Sequence, residues 1–167
     1  DTLINRHPDA DAIYDIARLT AHSVKFFNRK PVMAMVSYSN FGSDKVGSPA
    51  TVHEVVSRLH TDCPDMVVDG EMQVNFALNN ELRDKKYPFT KLFNKKVNTL
   101  IFPNLSSANS CCQILQDIGE QVEVIGPIQM GLNKPIHFTD AESTVQEIVD
   151  VTAIAVIDAI VESKKKK

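Results

Sequence analysis

Several residue types that mark specialised protein classes are scarce in this chain of 167 residues. It has three cysteines, two of them adjacent at Cys111 and Cys112, which is neither a disulfide framework nor the paired spacing of a zinc site. No apolar run approaches the roughly 20 residues that span a bilayer, and the N-terminus lacks a charged-then-apolar signal pattern. We therefore expect a cytoplasmic protein without a membrane segment, a metal site or disulfides.

Excess charge is also missing. The chain carries 18 Lys and Arg against 21 Asp and Glu, for a net charge of -3. This balance gives no general reason to bind nucleic acid or an anionic membrane, although Lys95 and Lys96 form a local basic pair. Arginine does not occur after Arg83. Because guanidinium groups commonly clamp a transferring phosphoryl group, the second half of the chain is poorly equipped for that chemistry.

Hydrophobic patterning predicts an alternation of strands and helices. Short apolar runs predict strands at 31–37, 66–69, 99–102 and 122–125. One helix is predicted to open at His7-Pro8-Asp9, with Pro8 and Asp9 suited to its first turn. Others are predicted over 50–60, 73–83 and 144–161, and from a serine cap near Ser107 to about Gly119. Strands separated by helices of this length predict an α/β fold with three layers, α/β/α, around a mostly parallel, doubly wound sheet. We expect one domain over 1–163 and a disordered lysine tail over 164–167.

Small polar residues follow the predicted strands, where ligands of such sheets bind. The loop after the first strand contains Ser37, Ser39, Asn40, Gly42 and Ser43, which can offer N–H groups and hydroxyls to a phosphate or a pantetheine amide. The same residues also suit any tight turn. Both interpretations stay open at this stage.

Other polar residues have a functional and a structural interpretation as well. Asp69 and Glu71 can be a carboxylate pair for acid–base chemistry or a metal, but packing at the start of a helix is the favoured interpretation. Asn104 and Asn109 suit either a ligand or a strand-to-helix turn. His53 and His60 share one helical face without a third ligand, so we expect no zinc site.

Five blocks of sequence, in order, carry a resemblance to a known family. The most specific is Gly-Pro-Ile-Gln-Met-Gly-Leu-Asn-Lys-Pro at 126–135, which runs into residues 136–145. The others are Val-Ser-Tyr-Ser-Asn-Phe-Gly-Ser at 36–43, Val-Asp-Gly-Glu-Met-Gln at 68–73, Ile-Phe-Pro-Asn-Leu at 101–105 with Ala108 and Asn109, and Ile-Val-Asp-Val-Thr-Ala-Ile-Ala at 148–155. Together they resemble the latter half of the domain of the phosphate acetyl/butyryl transferase family. The earlier half of that domain is expected to precede residue 1.

Details within these blocks resemble one branch of the family, the C-terminal domain of large bacterial NADP-dependent malic enzymes. The forms Ser-Asn-Phe-Gly-Ser and Phe-Pro-Asn-Leu are those of this branch, whereas transferases more often carry variants with Thr-Lys-Gly or Asp-Leu. The resemblance implies that the N-terminal part of the parent enzyme decarboxylates malate with NADP and a divalent metal. It implies for this domain no cofactor of its own, a regulatory role with acetyl-CoA or a related CoA thioester as effector, and assembly as a homo-oligomer, at least a dimer.

The chain departs from the transferase pattern where Asp140-Ala141-Glu142 replace a Ser-Arg-Gly triplet that serves the acyl-phosphate reaction. A carboxylate there should repel an acyl-phosphate dianion, so we expect no catalytic residues. The alternative is an active phosphate acetyl/butyryl transferase with Asp140 or Glu147 as base and an arginine from the absent half. Glu147 stands where transferases place a catalytic aspartate, but it equally suits the first turn of a helix.

The resemblance also implies a set of acetyl-CoA-binding residues. Lys134 is the cation placed to meet a CoA phosphate, or else a solvated loop residue. The full set is Ser37, Ser39, Asn40, Gly42, Ser43, Asn104, Asn109, Gly126, Pro127, Gly131, Asn133, Lys134, Thr139 and Asp140.

Overall fold

The structure, a computed structural model, describes residues 1–119 and 122–165. This part of the chain forms six helices and three strands. In order they are α1 (Ala10–Phe26), β1 (Met33–Val36), α2 (Ser48–Asp62), β2 (Val68–Met72), α3 (Val74–Leu78), α4 (Asn80–Lys86), β3 (Thr99–Ile101), α5 (Leu105–Ile118) and α6 (Val145–Lys165). The chain divides into two compact units, Asp1–Cys111 and Cys112–Lys167. No helix in these described ranges is long and apolar enough to cross a membrane.

A parallel three-stranded sheet with the order β2-β1-β3 organises the first unit. Successive side chains of a strand point to opposite faces. Met33 and Met35 of β1 accordingly enter one hydrophobic cluster, and Ala34 between them enters another. Because every residue of β1 is buried, its sequence is continuously apolar, as the predicted strand required. The predicted α/β class is confirmed.

Helices α1 and α2 cover the face of the sheet that carries Met33 and Met35. Helix α1 begins at Ala10, and Asp9 is its N-cap, which accepts a hydrogen bond from Ala12 N at 2.9 Å. The predicted helix is present, but Pro8 and Asp9 precede its first turn. Its buried residues, Ile13, Ala17 and Ala21, recur every fourth position and form the stripe that packs on the core. Helix α3 and the segment after α4 cover the opposite face.

Strand β2 contains a bulge next to its carboxyl end. Met35 pairs with Gly70 and Val36 pairs with Met72, so Glu71 is an extra residue without a partner in β1. Gly70 has φ +146°, and a Cβ atom there would lie 2.5 Å from the carbonyl oxygen of Met35. Glycine therefore lets β1 and β2 approach closely at the bulge, which re-aims the side chain of Glu71.

Four predictions about the elements were wrong in part. The helix expected over 73–83 is interrupted at Asn79, where the backbone is extended. The side chain of Asn79 accepts a hydrogen bond from Leu82 N and so caps the start of α4, a role that asparagine often has. The cap of α5 is Asn104, which accepts from Ser107 N at 3.0 Å, and not a serine. Residues 122–125 form no strand, because an alternating apolar pattern needs a neighbouring edge to pair with. Lys164 and Lys165 belong to α6, so the expected tail does not begin at residue 164; residues 166 and 167 lie outside the described residues.

Substituting Gly70 tests the close approach of β1 and β2. Gly47 also has positive φ, +63°, but a Cβ atom there would meet nothing within 4 Å. Gly47→Ala should therefore lower the free energy of unfolding only by the backbone cost, about 1–3 kcal/mol. Gly70→Ala should lower it by a further ~1–3 kcal/mol because of the overlap with Met35. Urea unfolding of both variants measures the difference, and equal losses would contradict this account of the bulge.

Candidate functional site

The carboxyl edge of the sheet brings together three segments of the first unit. Residues 37–47 follow the central strand β1, Gln73 follows β2, and Asn104 follows β3. Because the three strands are parallel, these segments leave the sheet at the same edge. This edge is where open α/β sheets bind ligands.

The carboxylate of Glu71 is the centre of this edge. Its side chain has 0% exposure, and its Oε1 atom accepts hydrogen bonds from Ser39 Oγ at 3.1 Å and from Gly42 N at 2.6 Å. His53 of α2 places Nδ1 3.2 Å from the Oε2 atom, while 56% of the histidine side chain stays exposed. The bulge in β2 thus aims a buried carboxylate into the loop that follows β1, where polar partners satisfy it.

Two serine hydroxyls extend this network. Ser39 Oγ also accepts from Asp44 N at 2.9 Å and lies 2.9 Å from Ser43 Oγ. Since the hydroxyl proton of Ser39 is directed at Glu71, Ser43 is the donor in that contact. Ser43 Oγ in turn accepts from Asn40 N at 3.0 Å. The hydroxyls of the predicted ligand loop are therefore engaged in shaping the loop.

An amide pair ties the loop to the residue that follows β2. Asn40 Nδ2 donates to Gln73 Oε1 at 3.0 Å, and Gln73 N donates to Asn40 Oδ1 at 2.9 Å. Gln73 Nε2 adds a hydrogen bond to the carbonyl oxygen of Tyr38 at 2.9 Å. Ser37, the first residue of the loop, is buried, and its N–H donates to the carbonyl oxygen of Met72. The five loop residues predicted from the sequence are thus held together by contacts within the unit.

Asp69 has a separate, structural set of contacts. Its carboxylate accepts from Thr90 Oγ1 and Lys91 N, both at 2.7 Å, and from Gly70 N at 3.0 Å. His60 of α2 donates through Nε2 to the carbonyl oxygen of Val68. Asp69 therefore anchors the segment after α4, in agreement with the packing interpretation. Within the ranges the structure describes, no group of three or more His, Cys, Asp or Glu residues could hold a metal ion.

Tyr38 is an exposed phenol at the start of the loop. Its hydroxyl donates to Asp44 Oδ2 at 3.0 Å. That hydrogen bond, followed by partial loss of water and the negative charge of Asp44, raises the pKa of Tyr38 above its ordinary value. The phenol accordingly stays a neutral donor throughout the physiological pH range.

Asn104 and Asn109 mark the first turns of α5. The side chain of Asn104 caps the helix, in agreement with its turn interpretation. Asn109 Nδ2 donates to the carbonyl oxygen of Thr2 at 3.2 Å. Asn109 also lines a shallow depression of about 390 Å³. The other residues of its lining are Thr2, Leu3, Leu105, Ser106 and Ser110.

The remaining predicted residues belong to the second unit. Gly126 and Gly131 have φ values of +136° and +82°, which identify the bends of the signature segment. A hydrogen bond from Gln129 N to His137 Nδ1, 3.2 Å long, closes this segment. The side chains of Pro127, Asn133, Lys134, Thr139 and Asp140 are exposed. The prediction that they meet a ligand together with the loop of the first unit stays a prediction.

Asp140 and Glu147 serve the start of α6. Asp140 Oδ1 accepts from Glu142 N and Ser143 Oγ, each at 3.1 Å. Glu147 Oε2 accepts from Thr144 N at 2.7 Å, and Glu147 N donates to Thr144 Oγ1 at 3.3 Å. This reciprocal pair is a capping box. The helix-start interpretation of Glu147 is therefore confirmed.

Sequence reasoning missed a cluster of aromatic rings beside the loop. Phe41 lies 4.8 Å from Tyr87 and 5.0 Å from Phe89, measured between ring centroids. The signal was present as Tyr87-Pro88-Phe89 within the lysine-rich segment 85–96, although nothing in the spacing connects that segment with Phe41.

Comparison with known proteins gives a consistent result. Residues 1–156 match the family described as phosphate acetyl/butaryl transferase. An NADP-dependent malic enzyme of Salmonella typhimurium is 32% identical over 159 residues, which are 95% of this chain and 21% of that protein. A phosphate acetyltransferase of Clostridium acetobutylicum is 33% identical over 160 residues, which are 95% of this chain and 47% of that protein. The chain thus spans about a fifth of the malic enzyme and half of the transferase.

Solved structures support the same fold. The crystal structure of a phosphotransacetylase from Streptococcus pyogenes matches with a TM-score of 0.88 and 34% identity, over 96% of this chain and 48% of that one. The EutD phosphotransacetylase from Staphylococcus aureus matches with a TM-score of 0.82 and 29% identity, over 95% of this chain and 48% of that one. The phosphotransacetylase-like fold expected from the sequence is confirmed.

Replacing Glu71 tests whether its carboxylate holds the loop. Glu71→Gln removes the negative charge and one acceptor oxygen at a fully buried position. We expect the free energy of unfolding to fall by about 1.5–3 kcal/mol, the range for hydrogen bonds to charged groups, and amide exchange of Gly42 to accelerate. Glu54→Gln, an exposed change on α2, is the matched control and should change both by little. Unchanged exchange at Gly42 in Glu71→Gln would refute the assignment.

Proposed function

This chain belongs to the phosphate acetyl/butyryl transferase family, and from that premise we propose that it is a non-catalytic regulatory and assembly domain of an NADP-dependent malic enzyme. In this proposal the parent enzyme oxidatively decarboxylates malate to pyruvate, with NADP and a divalent metal bound outside this domain. Acetyl-CoA is the effector that this domain binds.

The observation that carries the proposal is the structure at the altered triplet. The resemblance to the family implies that Asp140 and Ala141 stand where transferases carry a serine and an arginine. The carboxylate of Asp140 accepts hydrogen bonds from Glu142 N and Ser143 Oγ. A carboxylate repels the acyl-phosphate dianion that a guanidinium would bind through two parallel hydrogen bonds. The segment keeps its role as the start of a helix while lacking the groups of acyl-phosphate chemistry.

An active phosphate acetyl/butyryl transferase is the second candidate, and the similarity to the Clostridium acetobutylicum transferase favours it. That reaction would need Asp140 or Glu147 as a base. Both carboxylates accept hydrogen bonds from local N–H and O–H groups, and these bonds hold the acceptor oxygens at the helix start. The local geometry therefore supports the non-catalytic function better.

Polar groups of the loop that already form hydrogen bonds within the domain are less available to bind acetyl-CoA. In the first unit, Ser39, Asn40 and Gly42 direct their polar groups to Glu71 and Gln73. These three residues define the shape of the carboxyl edge, and their hydrogen bonds leave few N–H and O–H donors for a ligand. In the second unit, the exposed ammonium of Lys134 supplies charge for a phosphate group. We infer that charge and shape, more than loop hydroxyls, determine affinity for the effector.

The first test of function measures two properties of the full-length parent enzyme. It should transfer no acetyl group between acetyl phosphate and CoA above background, and it should bind acetyl-CoA in calorimetry. Lys134→Ala should weaken that binding by about 0.5–1 kcal/mol if the phosphate contact is exposed to solvent. Lys25→Ala, which removes an exposed lysine of α1 outside the carboxyl edge, is the charge-matched control. Transfer at about 1 per second or faster would establish the alternative function, and failure to bind acetyl-CoA would refute the effector.

Assembly is tested through helix α6. Exposed apolar side chains line one side of this helix, among them Val149, Val156 and Ile160, whereas Val151 is buried. We propose that the exposed side contacts a second copy of the chain. Val156→Asp should then shift the sedimentation of the parent enzyme toward smaller species. Val145→Asp makes the same change at a position that is 79% exposed in the first turn of α6, where a carboxylate is favourable, and should leave assembly intact. A monomeric wild-type enzyme at micromolar concentration would contradict the proposal.

A further inference from the structure

We propose that three aromatic rings, Phe41, Tyr87 and Phe89, form a shelf that binds the adenine base of the effector. This aromatic shelf would make the domain select thioesters that carry a nucleotide, such as acetyl-CoA, over thioesters of pantetheine alone. The inference rests on the proposed function, because it names the part of acetyl-CoA that the first unit recognises.

The rings form one connected group. Centroid distances are 4.8 Å between Phe41 and Tyr87, 5.0 Å between Phe41 and Phe89, and 6.0 Å between Tyr87 and Phe89. Phe89 packs edge-to-face against Phe41 and Tyr87, at 75° and 74°, while the planes of Phe41 and Tyr87 are tilted by 50°. Phe89 is 68% exposed, so a flat ring face is available at the outer end of the group.

The inner end of the shelf is fixed to the hydrophobic core. Phe41 and Tyr87 pack against the cluster that contains Met72 and Leu92, and Tyr87 lies 5.1 Å from the buried ring of Phe76. Phe41 belongs to the loop that Glu71 holds, and its N–H donates to the carbonyl oxygen of Glu71 at 2.8 Å. The shelf is therefore ordered before any ligand binds, which lowers the entropy cost of stacking.

Residues 90–95, which follow Phe89, are anchored by hydrogen bonds to buried side chains. The buried guanidinium of Arg83 donates through Nη2 to the carbonyl oxygens of Leu92 and Lys95, at 2.8 and 2.7 Å. Thr90 and Lys91 are anchored by Asp69. These contacts fix the backbone from which the lysines of the segment project into solvent.

Charge around the shelf complements a nucleotide. Residues 85–96 contain five lysines and no Asp or Glu, although the whole chain has a net charge of -3. Lys86 places its ammonium 5.6 Å from the ring centroid of Tyr87 and 5.1 Å from that of Phe76, a cation–π arrangement. Lys85 and Lys91 are exposed nearby in sequence. A nucleotide would match both the rings and the lysines, with its base stacked on the rings and its phosphates near the ammonium groups.

The position of the shelf connects it to the predicted effector loop. Phe41 lies between Asn40 and Gly42, two of the residues predicted to contact acetyl-CoA. A ligand that lies along residues 37–43 at the carboxyl edge would therefore meet the rings. A purely apolar occupant would leave the lysines without counter-charges, and a polyanion without bases would leave the exposed face of Phe89 in water.

The experiment compares three probes in calorimetry with the full-length parent enzyme: acetyl-CoA, acetyl-pantetheine and adenosine 3′,5′-bisphosphate. For stacking of one base on an exposed ring we expect roughly a 5- to 10-fold change in Kd. Phe89→Ala should weaken acetyl-CoA and the bisphosphate by this factor and leave acetyl-pantetheine unchanged. Phe89→Trp should restore the affinity.

Phe93→Ala is the matched control. Phe93 is 42% exposed in the same segment, and among the described residues it is not one of the paired rings. It should change none of the three affinities. Because Phe89 is largely exposed, its truncation should leave urea unfolding close to that of the wild type, which excludes misfolding as the cause of weaker binding.

The outcomes separate this inference from the proposed function. Acetyl-CoA binding that Phe89→Ala does not weaken, or equal weakening of acetyl-CoA and acetyl-pantetheine, overturns the shelf and leaves the effector proposal intact. A change in sedimentation of Phe89→Ala without a change in affinity assigns the rings to a protein interface and also overturns it. If the wild type does not bind acetyl-CoA, the effector proposal fails. In that case, bisphosphate binding that depends on Phe89 would still support the aromatic shelf as a site for a nucleotide. If the bisphosphate does not bind either, the shelf and the effector proposal are both overturned.

Discussion

A buried carboxylate at a break in strand register determines the shape of the carboxyl edge. Glu71 is unpaired in the ladder between β1 and β2, so its side chain turns toward the loop that follows β1. A buried charge without partners would be costly, and the loop supplies them through Ser39, the N–H of Gly42 and His53. The conformation of residues 37–43 is thus tied to one charge, and the position of Phe41 depends on the same contacts.

This arrangement separates the groups that shape the edge from those that can meet a ligand. Ser39, Asn40 and Gln73 direct their polar atoms inward, and the network leaves exposed rings and ammonium groups outside. Exposed rings and ammonium groups suit a flat, negatively charged ligand, as the proposed binding of an effector requires. Transfer of an acyl group, the alternative function, would also require donors aimed at charge that develops in the transition state, whereas the carboxylates of Asp140 and Glu147 at the start of α6 are acceptors.

The sequence predicted most of the first unit, since its apolar runs and caps are local features. The strands β1, β2 and β3 and the helices α1 and α2 lie where periodicity placed them, within a few residues. The break at Asn79 was missed because an asparagine can cap a helix or sit within one, and apolar spacing does not distinguish these. The strand expected over 122–125 failed for another reason: its formation depends on a pairing edge, which is a tertiary property.

The site was harder to predict than the fold for a related physical reason. Motifs identified the loop residues, but they could not show that Glu71 accepts their hydrogen bonds, because a regular strand would have pointed Asp69 and Glu71 to the same face. The bulge at Gly70 changes that direction, and both the positive φ of this residue and its close approach to Met35 favour a glycine there. Likewise, Tyr87 lies 46 positions after Phe41, so their contact follows from the parallel order of β2, β1 and β3 and not from any local pattern. Residues that act together at this edge are therefore found by topology, while the residues that hold it in shape are found by asking where each buried charge is satisfied.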